Sequence, residues 1–268
     1  MNKIDYPVGV LPLDFLVSAI EKERYVENVN GIPGNINYGF DYKDREVSLN
    51  FWLRHYYGEY DQKLLKSELY AMLDSQPYFY VSDDRLPTRV LKLAIDEPYL
   101  PDRINGSNIS SLEFKCQIIG LPFWRTKYTT QEIEASGYTA IEEKYGLADG
   151  INVDYPNYTF DTKTIYVWNG GNVTIDPRNM PLSIKVNNIN SNGNFTIVND
   201  TTGEQFIYKT PIGATVLNLK GTKVLISTYN YLRDTNRKFI SLKPGLNKLR
   251  FLNGEFDNIR IDFPFFYK

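Results

Sequence analysis

One cysteine and one histidine occur in the 268 residues. Cys116 alone can form no internal disulfide and no thiolate metal cluster, which fits folding in a reducing compartment. His55 alone rules out a His-rich metal site and leaves any catalytic dyad resting on a single ring, in a segment that reads as a solvated loop. No apolar run approaches the roughly 18 residues of a membrane span. No charged and apolar leader pattern follows Met1, so export by a signal of its own is not expected. GxSxG, GxxxxGK[ST] and HExxH are all missing. The glycine-rich pieces GIPG (residues 31–34) and NGGN (residues 169–172) precede no predicted helix, so they read as turns and not as phosphate cradles. Charge is equally uninformative about a ligand: 30 Lys and Arg face 32 Asp and Glu, a net of -2, with the signs interleaved. That pattern offers no surface for nucleic acid or an anionic membrane. The neighbouring carboxylates Asp83 with Asp84 and Glu142 with Glu143 stand in polar segments and read as solvated. These absences predict no catalytic residue, no metal and no cofactor.

What the sequence does have is aromatic residues, 15% of the chain, including 21 Tyr and 15 Phe. Such residues favour strands and contact surfaces, and the length suits two domains. In the first half Val47, Leu49, Phe51 and Leu53 alternate with polar positions, as do Leu112, Phe114, Cys116 and Ile118, and Leu13, Phe15 and Val17. Each row is the signature of a strand with one buried face. Leu65, Leu69, Met72 and Leu73 fall on one helical face, with Asp61 placed to cap its start and Pro77 beyond its end. Strands around one helix predict an α+β domain over residues 1–128. The period fails over residues 129–150, which reads as a connecting segment, with Thr139 and Glu142 spaced as a capping box. Over residues 151–268 short apolar runs alternate with Gly, Asn and Pro turns. That predicts an antiparallel β-sandwich of eight or more strands, so the fold class expected for the chain is mainly β.

Two features ask for a partner. Tyr25, Val26 and Val29 read as a strand, but roughly fifteen residues of Gly, Asn, Pro and isolated rings separate it from the Val47 strand, where hairpin loops take about two to five. Within the sandwich Trp168, Tyr229 and Tyr231 would offer flat faces for a sugar ring if they lie together. A glycan-binding module is therefore the alternative function.

The order and spacing of several pieces in the first half resemble the distal tail proteins of long-tailed, non-contractile phages of Gram-positive hosts. They are the Pro33-Gly34 loop, the strand REVSLNFWL, the helix carrying Leu65 and Leu69, the strands around PYFYVSD and RVLKLAID, and FKCQIIGLPFW ending in Phe123 and Trp124. TTGEQF (residues 201–206) and FISLKPGLNKLRF (residues 239–251) extend the resemblance, less sharply, to a galectin-like sandwich. The family carries a basic residue after the PG pair where this chain has Asn35. The resemblance implies a non-enzymatic connector in the virion, assembled in the host cytoplasm. Six copies would form a belt ring at the distal end of the tail, between the tail tube protein and the tail-associated hub or lysin protein, and anchor a receptor-binding protein. On that reading the long loop serves the ring, and Pro33, Gly34, Tyr38, Phe40, Tyr42 and Trp52 are the expected interface between copies.

Overall fold

A computed structural model describes residues 4–74, 77–136 and 150–268. The chain divides into two units, residues 1–123 with Lys268 and residues 124–267. In chain order the first contains β1 (Val10–Val17), β2 (Lys22–Glu27), β3 (Ile36–Tyr42), β4 (Val47–Arg54), α1 (Glu59–Leu73), β5 (Phe79–Asp83), β6 (Leu86–Ala94), β7 (Asp102–Arg103) and β8 (Ile109–Ile118). The alternating rows of β4 and β8 meet in antiparallel register, Leu49 opposite Phe114 and Phe51 opposite Leu112. Val47, Leu49, Phe51 and Leu53 are buried, as are Leu112, Phe114, Cys116 and Ile118. The rings of Phe51 and Phe114 stack at 5.8 Å. Strand β1 flanks β4, β6 continues the sheet beyond β8, and β5 and β7 pair with β6 and β8. Helix α1 buries Leu65 and Leu69. Gly9 permits the helix to come close: a Cβ there would stand 2.3 Å from the Arg54 carbonyl oxygen and 3.2 Å from Leu65 Cδ2.

The start of α1 departs from the expected cap. Gly58, at φ 87°, is the N-cap and supplies no side chain. Asp61 sits inside the first turn and reaches back, accepting hydrogen bonds from the backbone N–H of Tyr56 (2.6 Å) and Tyr57 (3.0 Å). In β1 a bulge between Pro12 and Asp14 turns Leu13 outward. Val10 is buried in its stead and the simple alternation of Leu13, Phe15 and Val17 breaks.

The second unit begins after Phe123. Its strands are β9 (Trp124–Thr126), β10 (Thr159–Phe160), β11 (Thr164–Asn169), β12 (Ser183–Ser191), β13 (Phe195–Asn199), β14 (Glu204–Tyr208), β15 (Ile212–Lys220), β16 (Lys223–Ile226), β17 (Tyr229–Asn230), β18 (Gly245–Leu252), β19 (Asn258–Asp262) and β20 (Phe266–Tyr267). Strand β9 pairs with β20. Thr126 Oγ1 accepts from the Phe265 N–H at 2.9 Å, and Thr130 Oγ1 donates to the Ile261 carbonyl at 3.1 Å. Residues 130–136 are helical. A Thr-x-x-Glu box opens them at Thr129, whose N–H donates to Glu132 at 2.8 Å. The box expected at Thr139 and Glu142 lies outside the described residues.

One sheet runs β10-β19-β12-β15-β16-β17 and the other β11-β18-β13-β14. Ile184, Val186, Leu217, Ile259 and Ile261 of the first are buried, as are Val167, Phe195, Ile197, Phe206, Leu249 and Phe251 of the second. Each sheet therefore has one apolar face, the condition for a sandwich. Of the runs read as strands, FISL contributes only an isolated bridge, Ile175 with Leu242. Buried asparagines hold the turns. Asn169 Nδ2 donates to the carbonyls of Val173 and Leu242, and Asn247 Nδ2 to those of Lys243 and Gly245. NGGN is a turn, and Gly171 allows close approach, since a Cβ would stand 2.4 Å from the Phe266 carbonyl oxygen.

Two outcomes follow from this packing. Phe251→Ala removes a fully buried ring that meets Phe195 at 6.3 Å and Phe256 at 5.8 Å, and lowers stability by about 3–5 kcal/mol in chemical denaturation. The Asp61 carboxyl is held below its ordinary value, first by the hydrogen bond from the Tyr56 N–H. Its stabilising effect is complete above the ordinary carboxylate range and is lost as pH falls through the lowered value. Asp61→Ala flattens that part of the acid limb of the urea midpoint against pH.

Candidate functional site

The segment read as a long loop is largely a strand. Ile36–Tyr42 pairs antiparallel with Lys22–Glu27, and the pair joins no other strand among the described residues. The remaining loop, residues 28–35, closes with the Ile32 N–H on the Val29 carbonyl at 3.1 Å. Gly31 and Gly34 take positive φ angles of 89° and 85°, which place Pro33 and Gly34 at the tip. The base is tied by Glu21 N–H to Asp44 C=O and Lys43 N–H to Glu21 C=O. At about 3.3 Å per residue the ribbon is roughly 20 Å long. A single two-stranded hairpin is marginal in water, and this one has no layer beneath it: all six residues of β2 are exposed.

Its side chains show how it is held. On one face Lys22 Nζ lies 5.0 Å from the Phe40 ring centre and Arg24 Cζ 5.4 Å from it. Phe40 meets Tyr42 edge-on at 5.3 Å, and Tyr42 meets Phe123 at 5.5 Å. Across the ribbon Tyr25 Oη donates to Asp41 at 2.9 Å, and Tyr38 Oη donates to Glu27 at 2.8 Å. Glu23 pairs with Lys43; the hydrogen bond from Lys43 holds the Glu23 carboxyl below its usual range, and the same bond raises the Lys43 ammonium. These are solvated pairs and contribute little to stability. Tyr38 remains 62% exposed, Ile32 53%, Val26 51% and Phe40 39%. Tyr42 is the exception among the expected interface rings, half-buried against its own unit.

Trp52 belongs to a different surface. It stands on the outward face of β4 opposite Leu11 of β1, about 17 Å along the strand from Val47, beside which the ribbon joins. Leu11, Leu16 and Trp52 are all exposed there. Sequence reading passed over Tyr57 and Tyr60 at the start of α1, which are 89% and 88% exposed. The signal was available, because the stripe set by Leu65 and Leu69 leaves Tyr60 off the buried face. Exposed large apolar side chains concentrate in this unit: among the described residues 21 lie in it, against Val153, Tyr166, Tyr229 and Leu252 in the other.

Trp168 is half-buried with its indole N–H on the Gly150 carbonyl at 2.6 Å, in the four-stranded sheet. Tyr229 is in the six-stranded sheet and Tyr231 follows it. His55 is buried, not a solvated loop residue; its N–H donates to Asn108 C=O at 3.0 Å and its C=O accepts from Asn108 Nδ2. Among the described residues no group of three His, Cys, Asp or Glu could hold a metal ion.

Residues 8–116 match the family model for the phage tail protein RIFT-related domain. That stretch makes up most of the first unit. No curated protein matches this chain in sequence. Among solved structures it is similar to the SPP1 Dit (gp 19.1) protein, described as a paradigm of the hub adsorption apparatus in phages infecting Gram-positive bacteria. The identity is 13% and the TM-score 0.67, over 97% of this chain and 94% of that one. A chain of the phage p2 baseplate in its activated conformation matches with 12% identity and a TM-score of 0.42, over 96% and 90%. The resemblance read from the sequence is thus accompanied by a match to a phage tail family model over residues 8–116 and by likeness of fold over nearly the whole chain.

Cys116, expected in a core row, is buried, and burial pushes its thiol up to about 12. At pH 8 almost no thiolate forms, so iodoacetamide leaves the folded protein unlabelled and modifies it fully in urea, read by mass spectrometry.

Proposed function

We propose that this chain is a distal tail protein whose first unit closes, six copies together, into a ring at the tip of the phage tail. The ring joins the tail tube to the hub protein below it, and the second unit, a galectin-like sandwich, stands at the rim near the receptor-binding apparatus. The part it plays is mechanical and non-enzymatic. The observation that carries this reading is the β2–β3 ribbon, which leaves Val26, Ile32, Tyr38 and Phe40 uncovered while the sheet beside it is fully formed. Each such side chain covered by a neighbour is worth about 1.5–3 kcal/mol. In a closed ring every protomer offers one patch and receives a different one. The ribbon is one patch; the exposed faces around Tyr57 and Tyr60 of α1, or around Leu11 and Trp52, are candidates for the other. Likeness to the SPP1 Dit fold supports the assignment.

Negative-stain microscopy and light scattering of the purified chain test it. The wild type forms particles with a central opening. Tyr38→Ser with Phe40→Ser gives a folded monomer whose melting temperature no longer rises with protein concentration, whereas Tyr42→Ser, which uncovers Phe123, lowers the stability of the monomer itself. A wild type that stays monomeric at every concentration, or a double variant that still forms the ring, overturns the proposal.

A further inference from the structure

Three turns far apart in sequence converge in the second unit on an open cleft of about 470 Å3. They are the Asp176–Arg178 turn, the Gly203–Gln205 turn that enters β14, and residues 237–241. Two carboxylates line it and both are engaged. Asp176 accepts from Arg178 Nε at 2.9 and 3.0 Å. Glu204 Oε2 accepts from the Ser241 N–H at 2.6 Å, the Ser241 hydroxyl at 2.7 Å and the Thr202 hydroxyl at 2.9 Å. Arg178 is thereby fixed beside the opening. Arg237 and Lys238 are exposed on the rim, and their side chains have no acceptor among the described residues. Arg178 balances Asp176, whereas Glu204 is held by uncharged donors and keeps its charge, so Arg237 and Lys238 leave the lining with a net charge of +1 beside the half-buried Phe239.

The backbone adds an independent observation. Arg237 takes φ 57°, in the left-handed region, where the other non-glycine residues described are Asn188, Asn194, Ser227 and Asn253. Asn or Gly would hold such a turn at less cost. A long cation kept at a disfavoured backbone position is a mark of function more than of folding. The turn itself is firmly built. The Arg237 N–H donates to Thr235 Oγ1 at 2.9 Å, Asn236 N–H donates to the Ile207 carbonyl, and Asn236 Nδ2 donates to the Gln205 carbonyl.

We infer that this cleft binds an anionic saccharide, a sugar ring bearing phosphate or carboxylate, with Arg237 and Lys238 on the anionic group and Phe239 against the ring. A peptide adding as a strand is disfavoured, because Asn236 already occupies the open edge of β14 at Gln205 and Ile207. Nucleic acid is disfavoured too, since it is held by a track of cations and here only two stand free. A cleft of this size suits one or two sugar rings, with Gln205 and the ring of Phe239 offering the usual mixture of amide and apolar face. The inference does not depend on the ring proposed above, and the trio Trp168, Tyr229 and Tyr231 plays no part in it.

Calorimetric titration of the full chain with N-acetylglucosamine 1-phosphate, glucuronic acid, neutral N-acetylglucosamine and inorganic phosphate tests it. At least one charged sugar binds about tenfold tighter than the neutral sugar and than inorganic phosphate, and which one binds tells phosphate from carboxylate. Arg237→Gln with Lys238→Gln weakens that binding about tenfold without moving the melting temperature, and Tyr38→Ser with Phe40→Ser leaves it unchanged. Equal binding of the neutral sugar, equal binding of inorganic phosphate, no binding of either charged sugar at millimolar concentration, or an unaffected Arg237/Lys238 variant each overturns the inference.

Discussion

A ribbon of two strands has two faces and nothing of its own to cover either. The β2–β3 hairpin meets that constraint part-way, with Lys22 and Arg24 laid over Phe40 on one face and a chain of tyrosine and carboxylate contacts across the rest. Those contacts fix the shape of the ribbon without removing its apolar surface from water. Solvated ion pairs and exposed cation–π contacts are each worth at most about 1 kcal/mol. The hydrophobic effect on Val26, Ile32 and Tyr38 is larger and unsatisfied. The difference between those terms is the ground on which we propose the ribbon as a docking element.

Such an element works only on a rigid base. The Phe51 and Phe114 stack, the two leucines of α1 and the close approach at Gly9 give the first unit a core that does not depend on the ribbon. Tyr42 is where the two meet: its ring closes on Phe123 and so anchors the end of β3 to the sheet unit. Along one face the packing fades away from the sheet: Tyr42 is half-buried on Phe123, Phe40 leans on Tyr42 and is 39% exposed, and Tyr38 is 62% exposed.

How much of this could be read in advance follows from burial. Strands β4, β8 and most of the sandwich announce themselves because one face is buried and the other wet, which writes alternation into the sequence. Helix α1 does the same at helical period. Strand β3 has no buried face, and Gly39 at φ 110° interrupts it, so INYGFDY looks like loop. Only its length and its rings betrayed a purpose. Strand β9 was obscured for another reason: it pairs with β20, and Thr126 bonds Phe265 across 139 residues, a pairing that leaves no local trace. Asp61 shows a subtler failure, since it lies inside the first turn and bonds the amides of Tyr56 and Tyr57 ahead of the helix, where a cap would bond amides within that turn.

The cleft was invisible for the strongest version of that reason. Asp176, Glu204 and Arg237 lie in three turns, each legible as a turn and none legible as a site. What joins them is the network of Glu204 with Ser241, and of Asn169 and Asn247 with the backbone at Leu242, Lys243 and Gly245. TTGEQF and FISLKPGLNKLRF, which resemble family signatures, therefore meet physically at Glu204 and Ser241. Their resemblance lies in the residues that build the wall of the cleft, whereas the free cations Arg237 and Lys238 stand just outside both segments.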